Sequence, residues 1–329
     1  MAAQVVSTGA LRVQIASDLH LEFFRDGIDL EEILSPCAPV LALLGDISAL
    51  GSARGRQVYE VFLEQCCGRF EQVLVLAGNH EYYCGSRENR ASVRSIQAYM
   101  RSLGSSRFPN LMVLENDVVE LVDGVRIAGC ALWSHIPACQ TISGAAEAGV
   151  DPWGTVERRL TDYRSIYVDR EVEEGREPGL RTVTAEETTA WHTESVEFIR
   201  REAARATADG KSLLVLTHHT PSFHGTAAPE HGEDPEGFGS GFSTNLEHLL
   251  ADPELAAIHT WCFGHTHYNS DQVAHGCRLV SNQRGYLIER CPGYEMDKVI
   301  EVHPKFDVVA AGGLDVDVVS ADGGEGGQE

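Results

Sequence analysis

Short apolar runs alternate along this chain with longer amphipathic stretches. Runs of strand length occupy residues 11–16, 40–44, 72–77, 212–217 and 259–263, and each reads as a buried strand. Helical spacing appears at 58–66 and again at 89–103, where Val93, Ile96, Tyr99, Met100 and Leu103 share a face. Residues 184–208 predict a further helix, opened by a capping box of Thr184 and Glu187 and carrying Trp191, Val196, Phe198 and Ile199 as apolar contacts. Residues 111–114, 118–122 and 125–132 read as short strands around the turn Asp123-Gly124, so part of the sheet is expected to be antiparallel or mixed. A helical turn at 30–34, a short helix at 243–250 and a last pair of strands at 276–282 and 285–289 complete the pattern. Strands alternating with helices predict an α/β domain over residues 1–306. Residues 137–183 have weak periodicity and many turn residues. They read as an insertion over the sheet edge, holding a short helix near 156–163, where substrate choice would be made. Residues 307–329 are rich in glycine and acid and read as a disordered tail.

The polar residues that follow the apolar runs carry the chemistry. Asp18 and His20 lie just past the first run, two residues apart, and alternation turns both side chains the same way. Gly45-Asp46 follows the second run; Asp46 reads either as a cap for the next helix or as a carboxylate shared between two cations. After the third come Gly78-Asn79-His80-Glu81. Asn79 offers a neutral carbonyl oxygen, His80 a proton for a departing oxygen, and Glu81 reads as an orienting or helix-start residue. His218-His219 ends another run. Adjacent side chains at a strand end cannot both face one point, so His218 is assigned inward and His219 to the surroundings. Gly264-His265-Thr266-His267 supplies two imidazoles that can each reach a different cation. His135 is a candidate for the pocket wall, His192 for a surface or packed helix residue, and His224 and His231 for the rim within 222–240. Arg284 reads equally as a partner for a phosphate oxygen or for a surface acid.

Charge narrows the partners. With 26 Lys and Arg against 49 Asp and Glu the net charge is -23, which argues against a long DNA or RNA track. A divalent cation can still make a local positive site for a small phosphorylated substrate. The nine cysteines form no CxxC pair and are odd in number, as expected for reduced, mostly buried thiols inside a cell. Neither a leader-like start nor an 18-residue apolar run is visible, so the expectation is a soluble cytoplasmic protein without a membrane segment.

Asp18-x-His20, Gly45-Asp46, Gly78-Asn79-His80-Glu81, His218-His219 and Gly264-His265-Thr266-His267, in this order, resemble the signature of the calcineurin-like metallophosphoesterases over about residues 11 to 290. The resemblance implies a four-layer α/β/β/α sandwich of two mixed β-sheets flanked by helices, with a dinuclear metal centre where strand ends converge. Carried over by position, Asp18, His20, Asp46 and His267 hold one ion, and Asp46, Asn79, His218 and His265 hold the other. A donor set of carboxylate, amide and imidazole suits Mn²⁺, Fe or Zn²⁺ better than Ca²⁺. The implied reaction is hydrolysis of a phosphoric ester by a metal-bridging hydroxide, with His80 as the catalytic group at the leaving oxygen. Asn79, His219 and Arg284 are the residues expected to meet the substrate. A small phosphodiester is favoured over a phosphomonoester, with phosphoprotein phosphatase or nuclease activity as alternatives. A non-catalytic scaffold is the competing class; the complete ligand set and His80 argue against it.

Overall fold

The structure, a computed structural model, describes residues 9–24, 28–85, 87–137, 151–170, 179–229, 238–289 and 291–304. In chain order the strands are β1 (Leu11–Ala16), β2 (Val40–Leu44), β3 (Gln72–Leu76), β4 (Leu111–Val113), β5 (Asp117–Val122), β6 (Val125–Cys130), β7 (Tyr167–Asp169), β8 (Leu180–Thr182), β9 (Ser212–Thr217), β10 (Ile258–Phe263), β11 (Asp271–Ala274), β12 (Cys277–Ser281) and β13 (Val299–Val302). The helices are α1 (Ala53–Arg69), α2 (Val93–Ser106), α3 (Pro152–Arg159), α4 (Asp162–Ser165), α5 (Ala185–Ala208) and α6 (Glu247–Leu250).

Two large sheets form. The first has the order β13-β1-β2-β3-β4, parallel from β1 to β4 with β13 antiparallel at its edge. The second has the order β11-β12-β10-β9-β6-β5, with a parallel centre and an antiparallel strand at each edge. Both faces of the central strands are covered, which is why β2, β3 and β9 are nearly uninterrupted apolar runs. One face of the first sheet, with Val13, Ile15, Ala42, Leu44 and Leu74, packs on Ile127, Leu214, Leu216 and Cys262 of the second. The alternate residues Leu41, Leu43, Val73 and Val75 pack instead with Tyr59 and Phe62 of α1 and Ile96 and Met100 of α2. On the far side Leu213, Val215, Trp261 and Phe263 pack with Phe198, Ile199 and Ala203 of α5. The result is a four-layer α/β/β/α sandwich.

Local signals set the helix starts. Ser52 and Ser92 accept from backbone N–H groups in the first turns of α1 and α2, and Thr184 with Glu187 completes the expected capping box of α5. The described part of the insertion contains α3, α4 and the hairpin of β7 with β8. Val156, Tyr163, Ile166 and Tyr167 sink its apolar side into the outer core of the first sheet, and Tyr163 Oη pairs with Thr188 Oγ1 of α5 at 3.0 Å. The rest of the insertion, His231 and the acidic tail lie outside the described residues.

The end of the chain departs from expectation. Residues 285–289 form no strand: Tyr286 turns inward, Leu287 and Ile288 are exposed, and the segment ends in a turn. The last strands are β11, paired antiparallel with β12, and β13 on β1. Apolar content at 285–289 therefore marked something other than sheet pairing. The helix expected over 243–250 is confined to α6. Among the described residues no helix is long and apolar enough to cross a membrane, and the eight described cysteines are free, six of them buried.

Of the two readings of His192, surface or packed, the structure has the packed one. Its Nδ1 lies 3.1 Å and 3.3 Å from the carbonyls of Leu132 and Trp133, two residues at positive φ after β6, and burial holds its pKa down to about 4. The unfolded imidazole titrates near pH 6.5, so this stabilisation is complete above that pH and is lost as pH falls toward the folded value. Thermal melts of wild type and His192→Gln should converge on acidification, wild type losing up to about 1.4 kcal/mol per pH unit more than the variant. Parallel pH profiles would show that His192 does not titrate on unfolding.

Candidate metal centre

The strands that carry the chemistry end together. β1, β2 and β3 in one sheet and β9 and β10 in the other deliver their C-terminal loops to the same edge of the sandwich. Asp18, His20, Asp46, His265 and His267 all have φ between 49° and 74°, a conformation uncommon for residues with a side chain. Backbone bonds between the loops hold it: the amides of Asp18 and His20 donate to the carbonyls of Gly45 and Asp46 at 3.1 and 3.0 Å. Two glycines make room. Gly45 sits at φ 88° against Gly78, and a Cβ on it would lie 2.7 Å from His218 Nδ1.

Glu81 fastens these loops from below. Its carboxylate, fully buried, accepts from the amides of Gly78 at 2.6 Å, Ile47 at 2.7 Å, Asp46 at 2.9 Å and Ser48 at 3.4 Å. Glu81 is thus an orienting residue, one of the two roles its place in the sequence allowed.

Two groups of donors face one another above this floor. Asp18, His20 and His267 form one, with His20 Nε2 and His267 Nε2 3.0 Å apart and His267 Nε2 3.5 Å from Asp18 Oδ1. Asp46, His218 and His265 form the other, with His218 Nε2 3.4 Å from Asp46 Oδ1 and 3.1 Å from Asn79 Oδ1. Asp46 Oδ2 lies 3.9 Å from His20 Nε2, so this carboxylate stands between the groups. The imidazoles are aimed from behind. His218 Nδ1 sits 2.8 Å from the Leu44 carbonyl and His267 Nδ1 2.5 Å from Glu289, which leaves each Nε2 for the interior.

The electrostatics suit a cation. Burial drives the pKa of His218 down and those of His219 and His265 far down, and brings His20 to about 4, so their lone pairs stay free. His265 Nε2 is buried without a hydrogen-bond partner. Burial, then the Glu81 and Asp18 carboxylates, push the Asp46 carboxyl well up. Among the described residues the ion pairs of Asp18 and Asp46 are all with histidines. An orphaned imidazole nitrogen beside the under-compensated buried carboxylate of Asp46 is the donor chemistry that a hard or borderline divalent cation satisfies.

The calcineurin-like phosphoesterase family profile matches residues 11–269. The chain belongs to this family. The uncharacterized protein L509 of Acanthamoeba polyphaga mimivirus is 28% identical over 291 residues, covering 84% of this chain and 92% of that protein. Among solved structures, phosphopantetheinyl hydrolase from Mycobacterium tuberculosis superposes with a TM-score of 0.56 at 18% identity, covering 91% of this chain and 98% of that one. At that identity the likeness supports the fold alone. Family membership and the His/Asp clusters together make the chain a metal-dependent phosphoesterase.

Within this phosphoesterase, the structure brings Asp18, His20, Asp46, Asn79, His80, His218, His265 and His267 to one place. Asn79, Arg284 and His219, the residues expected to meet substrate, have these partners. Asn79 Nδ2 donates to Asp162 Oδ1 at 2.9 Å and to Tyr83 Oη at 3.0 Å, which uses both amide hydrogens. Arg284 lies over the Phe24 ring, 4.8 Å from its centroid. His219 packs on His265, with ring centroids 4.1 Å apart and Nδ1 3.3 Å from the Ala131 carbonyl. His135 is exposed, its ring 6.1 Å from His192, and His224 is an exposed partner of Glu247.

Three residues of the site escaped the sequence reading. Glu22 lies 3.0 Å from His80 Nδ1; burial would raise its carboxyl, but the adjacent His20 ring at 3.6 Å and the hydrogen bond with His80 pull it down to about 2. Tyr286 places its hydroxyl 3.0 Å from His80 Nε2 and its ring 4.2 Å from that of His20. Asp162 reaches Asn79 from α4. The first signal available was Glu22 itself, two residues beyond His20 and continuing the alternation of Asp18 and His20.

The close approach of Gly78 to the site gives a test. A Cβ there would overlap Asp46 Oδ1 and lie 2.7 Å from His218 Cε1. Gly78→Ala should fold yet bind Mn²⁺ about ten-fold or more weakly, read by metal analysis after equilibrium dialysis. Unchanged loading would mean that the Asp46–Gly78 contact does not shape the centre.

Proposed function

We propose that the protein hydrolyses a small phosphoric ester, a phosphodiester ahead of a phosphomonoester, at a dinuclear centre in the cytoplasm. The observation that carries this reading is the pair of donor groups on either side of Asp46, with the His80–Glu22 pair beside them. Asp18, His20, Asp46 and His267 would hold one ion, and Asp46, Asn79, His218 and His265 the other, with Mn²⁺, Fe or Zn²⁺ fitting the mixed O and N donors. Such ions supply an activated water nucleophile and neutralise charge on phosphoryl oxygens.

The chain's own residues do the rest. Glu22 holds His80 by Nδ1, which fixes the ring and presents Nε2 to the site. From there His80 can hand a proton to the leaving-group oxygen, while Glu22 stabilises the charged ring that does so. Tyr286 Oη occupies hydrogen-bond range of that Nε2, the position a substrate oxygen needs, so substrate either displaces it or binds beside it. Phe23, exposed and edge-on to Tyr286 at 5.6 Å, gives the entrance an aromatic wall for the organic part of an ester. The net charge of -23 favours a singly charged diester over polyanionic substrates and supports a small substrate over nucleic acid.

The test compares p-nitrophenyl phosphate with bis-p-nitrophenyl phosphate, using metal-stripped protein reloaded separately with Mn²⁺, Fe²⁺ and Zn²⁺. Metal-dependent turnover, faster on the diester and abolished with metal loss in Asp46→Asn, is expected. No turnover with any metal, in protein that binds two ions, would overturn the hydrolase reading. His80→Ala should keep both ions and lose about 10²–10⁴ in rate. Glu22→Gln should lose less, since the ring remains but its counter-charge is gone. A wild-type rate for His80→Ala would remove that residue from the reaction.

A further inference from the structure

The insertion sends one side chain into the metal centre. Asp162, the first residue of α4, is 3% exposed and forms no ion pair with a described lysine or arginine. Its Oδ1 accepts from Asn79 Nδ2 at 2.9 Å and from Tyr83 Oη at 2.5 Å. The Tyr83 oxygen in turn accepts the second hydrogen of Asn79 Nδ2 at 3.0 Å. Three polar groups from two parts of the chain close a ring of hydrogen bonds.

A carboxamide has nearly the same shape in its two flipped orientations, so only its partners decide which atom points where. A carboxylate accepts only, and Tyr83 spends its hydrogen on Asp162. Both therefore demand the NH₂ of Asn79. The flip would break the two hydrogen bonds to Asp162 and Tyr83, set the amide oxygen against the Asp162 carboxylate, and turn the NH₂ toward the place a cation would take. With the ring closed, Asn79 Oδ1 is the atom presented beside His218 Nε2, at 3.1 Å.

We propose that Asp162 is a positioning residue that, through Asn79 and with Tyr83, makes the cation site on the His218 side depend on the seating of the insertion. The inference rests on the dinuclear reading above, in which Asn79 and His218 share an ion. Its consequence is a physical link between the helix that carries Asp162 and the metal content of the site. α4 is held by the apolar contacts of Tyr163 and Ile166 and by the Tyr163–Thr188 bond to α5. Anything that lifts α4 withdraws the group that orients a ligand.

The experiment titrates the stripped full-length protein with Mn²⁺ alone, by calorimetry, and resolves the two sites. Wild type should take up two ions. Asp162→Ala should keep one at wild-type affinity and bind the other about 10–100-fold more weakly. Asp162→Asn, whose amide oxygen can still accept from Asn79, should recover most of that loss. A role in packing alone would lower the melting temperature of Asp162→Ala without splitting the two affinities. Two ions bound by Asp162→Ala at wild-type affinity would overturn the proposal. If Asp162→Ala does not fold, Tyr83→Phe decides: it keeps the ring, 4.2 Å from that of His80, and should weaken the same site several-fold, whereas unaltered binding would overturn the proposal. Fewer than two ions on wild type would instead refute the dinuclear reading itself.

Discussion

One buried carboxylate holds the site together. Glu81 gathers the amides of Asp46, Ile47, Ser48 and Gly78, donors from the loops after two adjacent parallel strands. Farther along, the same loops bond each other directly, Leu50 and Gly51 donating to the carbonyls of Glu81 and Tyr83. These four amides, just past the strand ends, instead share the Glu81 carboxylate as acceptor. An unmade bond at a buried amide costs about 1–3 kcal/mol, so four donors on one side chain concentrate a large local term in a single residue. Burial pushes the Glu81 carboxyl up to about 7, against the pull of the backbone donors. The result is a rigid floor whose position is set by β2 and β3 rather than by the side chains above it.

The strained backbone above that floor follows from the same geometry. Five residues of the candidate centre adopt positive φ, a conformation that costs on the order of 1 kcal/mol or more at each. A loop that leaves a strand and turns back at once toward the facing sheet needs this hand of turn. The cost is offset by cross-links between loops from both sheets. The His265 amide donates to both oxygens of Asp18 at 3.1 Å, tying the end of β10 to the end of β1. Gln283, fully buried, accepts the His267 amide at 2.6 Å while its own NH₂ bonds Thr266 and Tyr268. His265 and His267 are thereby held by their backbone amides rather than by the ring nitrogen each would offer to a cation, as a preorganised site requires.

What could be read from the sequence was what lies local in it. Strands buried on both faces announce themselves as apolar runs, and the residues that end them sit in fixed relation to the run, so Asp18, His20, Asp46, Asn79, His218, His265 and His267 stood out together. Asp162 gave no such signal: its partners are more than 70 residues away in sequence, and its helix is one turn long. Tyr286 misled, because Tyr286-Leu287-Ile288 has the composition of a strand while its first residue is committed to His80 and the other two face solvent. The edge strands β11 and β13 were overlooked because four residues, alternating or charged, carry too little apolar pattern to separate them from loop. His192 and the capping box of α5 were legible because helix periodicity and capping are rules of short range.

The same burial that stabilises the core also sets the chemistry of the donors. His20, His218 and His265 lie where the strands of two sheets end, and desolvation there disfavours the imidazolium form of each. A cluster of histidines at the surface would be partly protonated near neutral pH and would repel a cation; in this place the rings stay neutral and keep a lone pair. His267 is the exception that fits the argument. It is the most exposed of the four, and although burial still acts to lower its pKa, Asp18 and Glu289 on either side hold it up to about 9. A cation at Asp18 would compete with a proton for His267, whereas on the His218 side burial disfavours the protonated ring. The two halves of the centre differ in this respect for a reason that lies in their surroundings, one half opening toward Glu289 and solvent and the other closed by Asn79, Tyr83 and the insertion.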